Sequence, residues 1–202
     1  MAVVVKHVEH FSEEVLIEKL RNVNMLKNPE LYPYKDAKIT LSYLSTSEMF
    51  PAQRYVLMPE LQKVRELDWE LQKFGYSVFK LDGYLKMWVE GCDEPIDLLP
   101  AVVEFSREND GSVLYLINDG MHRMFTARMQ WTVPQVIIID DVSEDIPYYA
   151  YPNPGQWNDV QIIDKLSPGF VKKWHRIPDH HTLYRNFNSA FENVGGPRKV
   201  ER

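Results

Sequence analysis

The sequence predicts an α/β protein of the α+β kind: a small mixed sheet with helices packed around it and a helical extension at the C-terminal end. Three patterns carry that prediction. Residues 114–117 and 136–139 are short runs rich in β-branched side chains, and between them Met121, Met124, Phe125 and Met129 recur at the spacing of an amphipathic helix. The stretch therefore reads strand, polar turn, helix, strand. Residues 59–74 read as the longest helix, with Pro59 in the first turn, Leu61, Val64, Leu67 and Leu71 as its buried stripe beside Trp69, and Gly75 as its stop. Residues 76–81 and 84–89, apolar and aromatic on either side of Asp82-Gly83, read as a β-hairpin.

The remaining elements follow in chain order. Residues 2–5 can form a strand, and Ser12 can cap a first helix whose apolar side is Val15, Leu16 and Leu20. Residues 28–35, with two prolines, make a connecting loop, and 39–44 alternate enough for a strand closed by Ser45-Thr46-Ser47. Residues 98–105 and 113–117 are expected to be neighbouring strands joined through Glu108-Asn109-Asp110-Gly111. After the last strand, Asp140, Asp141, Glu144 and Asp145 form an acidic loop, and 147–155, rich in Tyr and Pro, form an ordered loop or lid. A short helix is expected over 157–166, and a closing helix over 182–193 with Leu183, Phe187, Ala190 and Phe191 toward the core.

Composition narrows the function. A chain of 202 residues with 45% hydrophobic and 26% charged side chains can bury the core of one ordinary water-soluble domain. A net charge of −6 argues against nucleic-acid binding, which rests on many cationic phosphate contacts. The charge is uneven, with eight Lys and Arg against three Asp and Glu from Lys165 onward, so an anionic ligand is better received near the C-terminal segment. Cys92 alone cannot form an intramolecular disulfide and fits a reducing compartment. No apolar run reaches membrane-spanning length, and Lys6, His7 and Glu9 interrupt the apolar start, so we expect a cytoplasmic protein with no membrane partner. Oligomeric state is not encoded in any pattern we can read.

The chemistry concentrates in Asn118-Asp119-Gly120-Met121-His122-Arg123. A polar turn feeding directly into a helix leaves the first backbone N–H groups unpaired at the positive end of the helix dipole, where a phosphate can sit. Gly120 lets the backbone approach a ligand, Arg123 offers a fork to phosphate oxygens, and His122 can donate a hydrogen bond or shuttle a proton. Asp119 can cap the helix or hold magnesium beside the phosphates. The same tripeptide Asn-Asp-Gly is also a common turn that needs no ligand. Residues 174–185 gather His175, Arg176, His180, His181, Tyr184 and Arg185, at spacings that match no familiar zinc pattern. Tyr184 and Arg185, with Arg198 beyond them, are candidates for contacting a substrate or anion.

Leu99-Pro100-Ala101-Val102-Val103, followed by Leu114-Tyr115-Leu116-Ile117-Asn118-Asp119-Gly120-Met121-His122-Arg123, the helix and the Val-Pro strand, resembles the ParB and sulfiredoxin superfamily. The resemblance implies a nucleotide-binding fold with a proline-initiated strand, a second strand, a Gly-x-x-Arg turn and a helix. It places the superfamily-like core at 58–140 within a single domain of residues 1–202, with 141–202 as an extension. Sulfiredoxins carry a cysteine after the turn glycine, where this chain has Met121, so sulfinate repair is not expected. Partition proteins carry Glu-Arg-Arg there and continue into a DNA-binding domain, for which too little sequence remains. The turn looks more like that of the free serine kinases. The likeness implies ATP or ADP with Mg2+, phosphates on Asn118, Gly120, Met121 and Arg123, and phosphoryl transfer to a small hydroxylated metabolite with Asp119 and His122 at the reacting centre. It also aligns Glu60 with an acidic residue that can serve as base, although a glutamate in a first helical turn equally completes the helix dipole. The alternative from the same resemblance is a non-catalytic module that senses a nucleotide or contacts a partner.

Overall fold

The computed structural model describes residues 3–196, and its central sheet explains why the most apolar runs of the sequence are unbroken. Five strands pair in the order β3 (Lys38–Tyr43), β10 (Gln135–Asp140), β8 (Ala101–Arg107), β9 (Val113–Asp119) and β4 (Met49–Pro51). β10 runs parallel to β8 and β4 parallel to β9, whereas β10–β3 and β8–β9 are antiparallel, so the sheet is mixed. Along β8 and β10 successive side chains go to opposite faces. Val102, Ile137 and Ile139 join one core with Leu16 and Leu20 of α1 (Glu13–Arg21), while Ala101, Val103 and Val136 join another with Met121 and Met124 of α3 (Met121–Met129) and Leu61 of α2 (Met58–Gln72). Both faces are covered, hence no polar alternation in these strands.

A second sheet packs alongside. β1 (Val5–Ser12), β6 (Gly83–Val89) and β7 (Ile96–Leu98) pair antiparallel in that order, and Leu85 and Met87 of β6 meet Leu71 of α2 and Ala127 of α3 in a third apolar cluster. Two short ladders complete the fold: β11 (Gln161–Ile163) beside β5 (Tyr55–Leu57), and β12 (Arg185–Asn186) beside β2 (Asn24–Met25).

Several expectations are corrected. The strand expected over 2–5 instead begins at Val5 and runs to Ser12; Ala2 lies outside the described residues. Residues 76–82 are not a strand, and β6 has no hairpin partner there. Their backbone is satisfied by side chains instead: Asp68 Oδ1 accepts from Val78 N at 2.9 Å, and Gln135 Oε1 accepts from Leu81 N at 3.1 Å and Asp82 N at 2.8 Å. The Asp82-Gly83 turn delivers β6 to β1, an element seventy residues earlier in the chain. Ser12 occupies the N-cap of α1 without a side-chain hydrogen bond, and Val15 is exposed where Leu16 and Leu20 are buried. Trp69 is 78% exposed and belongs to no buried stripe.

The C-terminal segment is not helical. Residues 157–166 give a 3-10 turn (Gln156–Asp159) and then β11, and 182–193 give two 3-10 turns (His180–Leu183 and Phe187–Ser189) flanking β12. Asn186 and Asn188 are weak helix formers, and the segment's backbone finds partners across the fold, as where Leu26 N donates to Tyr184 O at 2.8 Å. Its apolar positions do face inward: Leu183 and Phe191 are buried, with Phe187 and Ala190 packed beside them.

Gly83 shows how tightly β1 and β6 meet. Its φ is +140°, and a Cβ there would stand 1.9 Å from Phe11 O. Gly83→Ala is therefore expected to lower the unfolding free energy by more than about 2 kcal/mol, read as a fall in the urea midpoint at unchanged m-value.

Candidate functional site

β9 ends at Asp119, Gly120 turns the chain with φ +86°, and α3 starts at once. A Cβ on Gly120 would lie 2.7 Å from Ala101 Cβ and 3.0 Å from an Arg123 terminal nitrogen, so the turn is pressed against the start of β8. Met121 and Met124 anchor the helix in the core. No side chain caps its N-terminus, and residues 120–123 line a cleft of about 660 Å³. The uncapped first turn of α3 thus lines the cavity.

Around that turn the cleft gathers Asn118, Asp119, Glu60, Lys63, Tyr149 and Lys173. Glu60 and Lys63, one turn apart on α2, pair at 2.7 Å. Met87, Val89, Ile96 and Leu98 of the second sheet and Val64 and Leu67 of α2 give the cleft an apolar flank. Among the described residues, no group of three or more His, Cys, Asp and Glu is placed to hold a metal ion by itself.

Several side chains in the turn already hold other parts of the protein. The fork expected of Arg123 is divided: one terminal nitrogen donates to the Leu99 carbonyl and the other to Asp119 Oδ2 at 3.3 Å. It is a strut between the turn and the segment before β8. His122 Nε2 accepts a hydrogen bond from Leu57 N at 3.0 Å, which leaves the proton of the neutral ring on Nδ1. Burial holds the His122 pKa below its ordinary 6.5, with Glu60 and Asp119 opposing the shift. Asn118 Nδ2 donates to Tyr34 Oη at 2.9 Å and to Glu104 Oε1.

Behind Asn118 lies a buried ionic network. Arg185 Nε and a terminal nitrogen donate to the two oxygens of Glu104, each at 2.9 Å, and the remaining donors go to the carbonyls of Ile146, Pro147 and Leu183. All five N–H groups of the guanidinium are taken. Arg185 is therefore a structural cation, not the anion contact expected from the sequence. The Tyr34 hydroxyl also donates to Glu104; burial, and then the Glu104 charge, push its pKa well above the ordinary range. Tyr184 lies outside the main cleft, in a smaller cavity that shares Asn118, Asp119, Tyr149 and Val194 with it. Arg198 lies outside the described residues.

Lys63 and Lys173 were not singled out from the sequence. The signal for Lys173 was the positive surplus after Lys165, and for Lys63 its i,i+3 spacing from Glu60. Lys173 Nζ donates to the hydroxyls of Tyr148, at 3.0 Å, and Tyr149, and has no carboxylate partner among the described residues. Burial pulls its pKa down to about 8 against the opposing pull of Asp119.

A mixed sheet whose strand passes through one glycine into a helix, with α2 and α3 on the same flank, makes this an α+β protein consistent with a ParB-like fold. The family model described as ParB CE domain matches residues 15–161, and the chain belongs to that family. No curated protein and no solved structure matches it. The match contains the turn, Glu60 and Lys63, while Lys173, Tyr184 and Arg185 come from the segment that follows. No helix among the described residues is long and apolar enough to cross a membrane.

Two measurements check this geometry. Arg185→Leu strands the Glu104 carboxylate and is expected to cost about 3–5 kcal/mol of unfolding free energy in urea titrations. For His122, the unfolded chain takes up its proton first as pH falls through 6.5, so the stabilisation is complete above that value and declines below it. Between pH 7.5 and 5.5 the His122→Gln variant, which keeps an acceptor for Leu57 N, is expected to lose stability less steeply than the parent (roughly the range in which histidine titrates).

Proposed function

We propose that the cleft binds the phosphates of ATP or ADP together with Mg2+, and that the protein is a nucleotide-dependent phosphotransferase acting on a small hydroxylated metabolite. The observation that carries this reading is the uncapped N-terminus of α3 at the wall of a cleft that also holds the Lys173 ammonium without a carboxylate partner among the described residues. Oriented N–H groups and an uncompensated cation make a receptor for a polyanion. The apolar flank from Val64 to Leu98 suits a nucleobase.

In this reading the N–H groups of Met121, His122 and Arg123 and the Lys63 and Lys173 ammonium groups hold phosphate oxygens, and Gly120 lets them approach. His122 Nδ1–H donates to the group in transfer. Asp119 is the carboxylate nearest the turn, and magnesium is commonly held by one or two carboxylates with the phosphates and water completing the shell, so the donor set fits a magnesium nucleotide better than a bare ion. When bound, the ion neutralises phosphate charge. Glu60, the sequence candidate for the base, is paired with Lys63 and stands on the same cleft wall.

A second reading, a module that binds a nucleotide without chemistry, is favoured by the commitment of Arg123 and His122 to backbone groups of Leu99 and Leu57. Binding without turnover selects it. A DNA-binding role is disfavoured by the net charge of −6.

Titration calorimetry with ATP, ADP and CTP in magnesium tests the first premise, and absence of binding to the parent protein overturns both readings. Lys173→Met is expected to weaken nucleotide binding by about tenfold or more, the scale of one lost charge-assisted hydrogen bond. Lys173 faces Tyr148, Tyr149, Asp119 and His175, and its pKa of about 8 means that the ammonium disappears as pH rises past that value. Affinity is accordingly expected to hold below pH 8 and fall above it in the parent, and to show no such fall in Lys173→Met.

A further inference from the structure

Two phenols hold the cleft's unpaired ammonium. Lys173 Nζ donates to the Tyr148 hydroxyl at 3.0 Å and to the Tyr149 hydroxyl, and Tyr149 lines both the main cleft and a smaller cavity beside it. Backbone contacts fix this meeting. Arg54 N donates to Lys172 O at 3.0 Å and Tyr151 N to Trp174 O at 2.8 Å, so the chain is tied down on both sides of Lys173. Arg176 N donates to Tyr149 O at 3.0 Å, and Ala150 and His175 form an antiparallel bridge between the two segments. The Tyr149 ring stands between those of Tyr148 and Tyr184, with centroids 4.4 and 4.5 Å away. The stretch 147–155, rich in Tyr and Pro, is thus a loop that carries hydrogen-bond acceptors to a cation in the cleft.

The nature of these partners decides what the ammonium can do. A carboxylate would hold it more strongly but cancel its charge, whereas a phenol accepts through a dipole and leaves the whole charge for a ligand. Both phenols stay neutral: burial pushes Tyr149 up to about 12 and Tyr148 well above its ordinary range. Hydrogen bonds made by a charged form favour that form, so the two hydroxyls and the Asp119 charge oppose the burial that pulls Lys173 down to about 8. Other titratable groups that face the pair are Tyr55, Tyr184, His175 and His180, and Glu60, Lys63, His122 and Arg123 line the same cleft. His175 is held below its ordinary 6.5, by burial first, so it changes charge beneath the range in which Lys173 does.

We infer that Tyr149 is a positioning residue: its hydroxyl, with that of Tyr148 beside it, fixes the Lys173 ammonium at the cleft and keeps it protonated, so that an anionic ligand meets an undivided positive charge. The inference rests on the nucleotide reading only for the identity of that ligand, and adds to it what controls the cation. Removing one phenol oxygen takes away a partner of the charged form alone, and the amine then sheds its proton at a lower pH.

The test uses the full chain with 13C-labelled lysine and follows the Lys173 ε-carbon resonance against pH, assigned by its absence from Lys173→Met. Tyr149→Phe keeps the ring and is expected to lower the pH at which Lys173 titrates by roughly one unit, the scale of one lost hydrogen bond to a charged group. Tyr148→Phe is expected to move the titration in the same direction, each variant being checked for an unchanged melting temperature. Calorimetry with ATP and Mg2+ gives the second readout. The fall in affinity expected above pH 8 in the parent begins roughly one unit lower in Tyr149→Phe, and affinity well below that pH is retained. A packing role alone would weaken binding by the same factor at every pH and leave the titration in place. An unmoved or raised Lys173 titration in both phenylalanine variants overturns the inference and leaves nucleotide binding standing. A parent that binds no nucleotide overturns the functional reading, and the carbon titration still decides the role of Tyr149.

Discussion

A carboxylate removed from water ties the site to the rest of the fold. Glu104 sits midway along β8, almost wholly buried, and receives hydrogen bonds from Arg185, Tyr34 and Asn118. Those donors come from a loop before β3, from the end of β9 and from the C-terminal segment. A buried charge is tolerable only when its partners are in place, so the four segments are committed together. Asn118, which begins the glycine turn, is aimed by the same contact that seats Arg185.

The turn itself divides its labour between backbone and side chains. Arg123 braces Leu99, His122 holds the amide of Leu57, and Met121 is packed in the core. These contacts fix the end of β5 and the segment before β8 against α3, whose uncapped first turn lines the cleft. Under the proposed function, recognition of phosphate falls to groups that cost little to pre-arrange: backbone dipoles and two lysines on separate elements.

Much of the central architecture was readable from pattern. The alternation of strand, Gly120, helix and strand from 113 to 140 follows from side-chain period and turn chemistry, and those signals are local. α1, α2, β3 and the β8–β9 hairpin follow for the same reason. What failed was long-range or satisfied by side chains. Residues 76–82 have the composition of a strand, but Asp68 and Gln135 supply the partners that a ladder would, and nothing within the window itself reveals either of them. Residues 182–193 show helical spacing because Leu183, Phe187, Ala190 and Phe191 do face inward, yet irregular backbone presents them equally well. In the site, the turn residues and Glu60 were found on one cleft wall as a group, while Lys173 was visible only as part of a charge surplus, since its neighbours are set by tertiary contact. Arg185 was named only as a candidate anion contact, because a lone arginine gives no sign of whether its partner is a ligand or a buried glutamate.

The region matched by the family model ends at residue 161, which invites trimming the chain there to obtain a minimal domain. The Glu104–Arg185 pair argues against it. Such a fragment would keep the acid inside the sheet and discard the base that neutralises it, together with β12, the strand that pairs with β2. What looks like an appendage supplies the counter-ion of the sheet's own interior, so the matched region is electrostatically incomplete without the segment that carries Arg185.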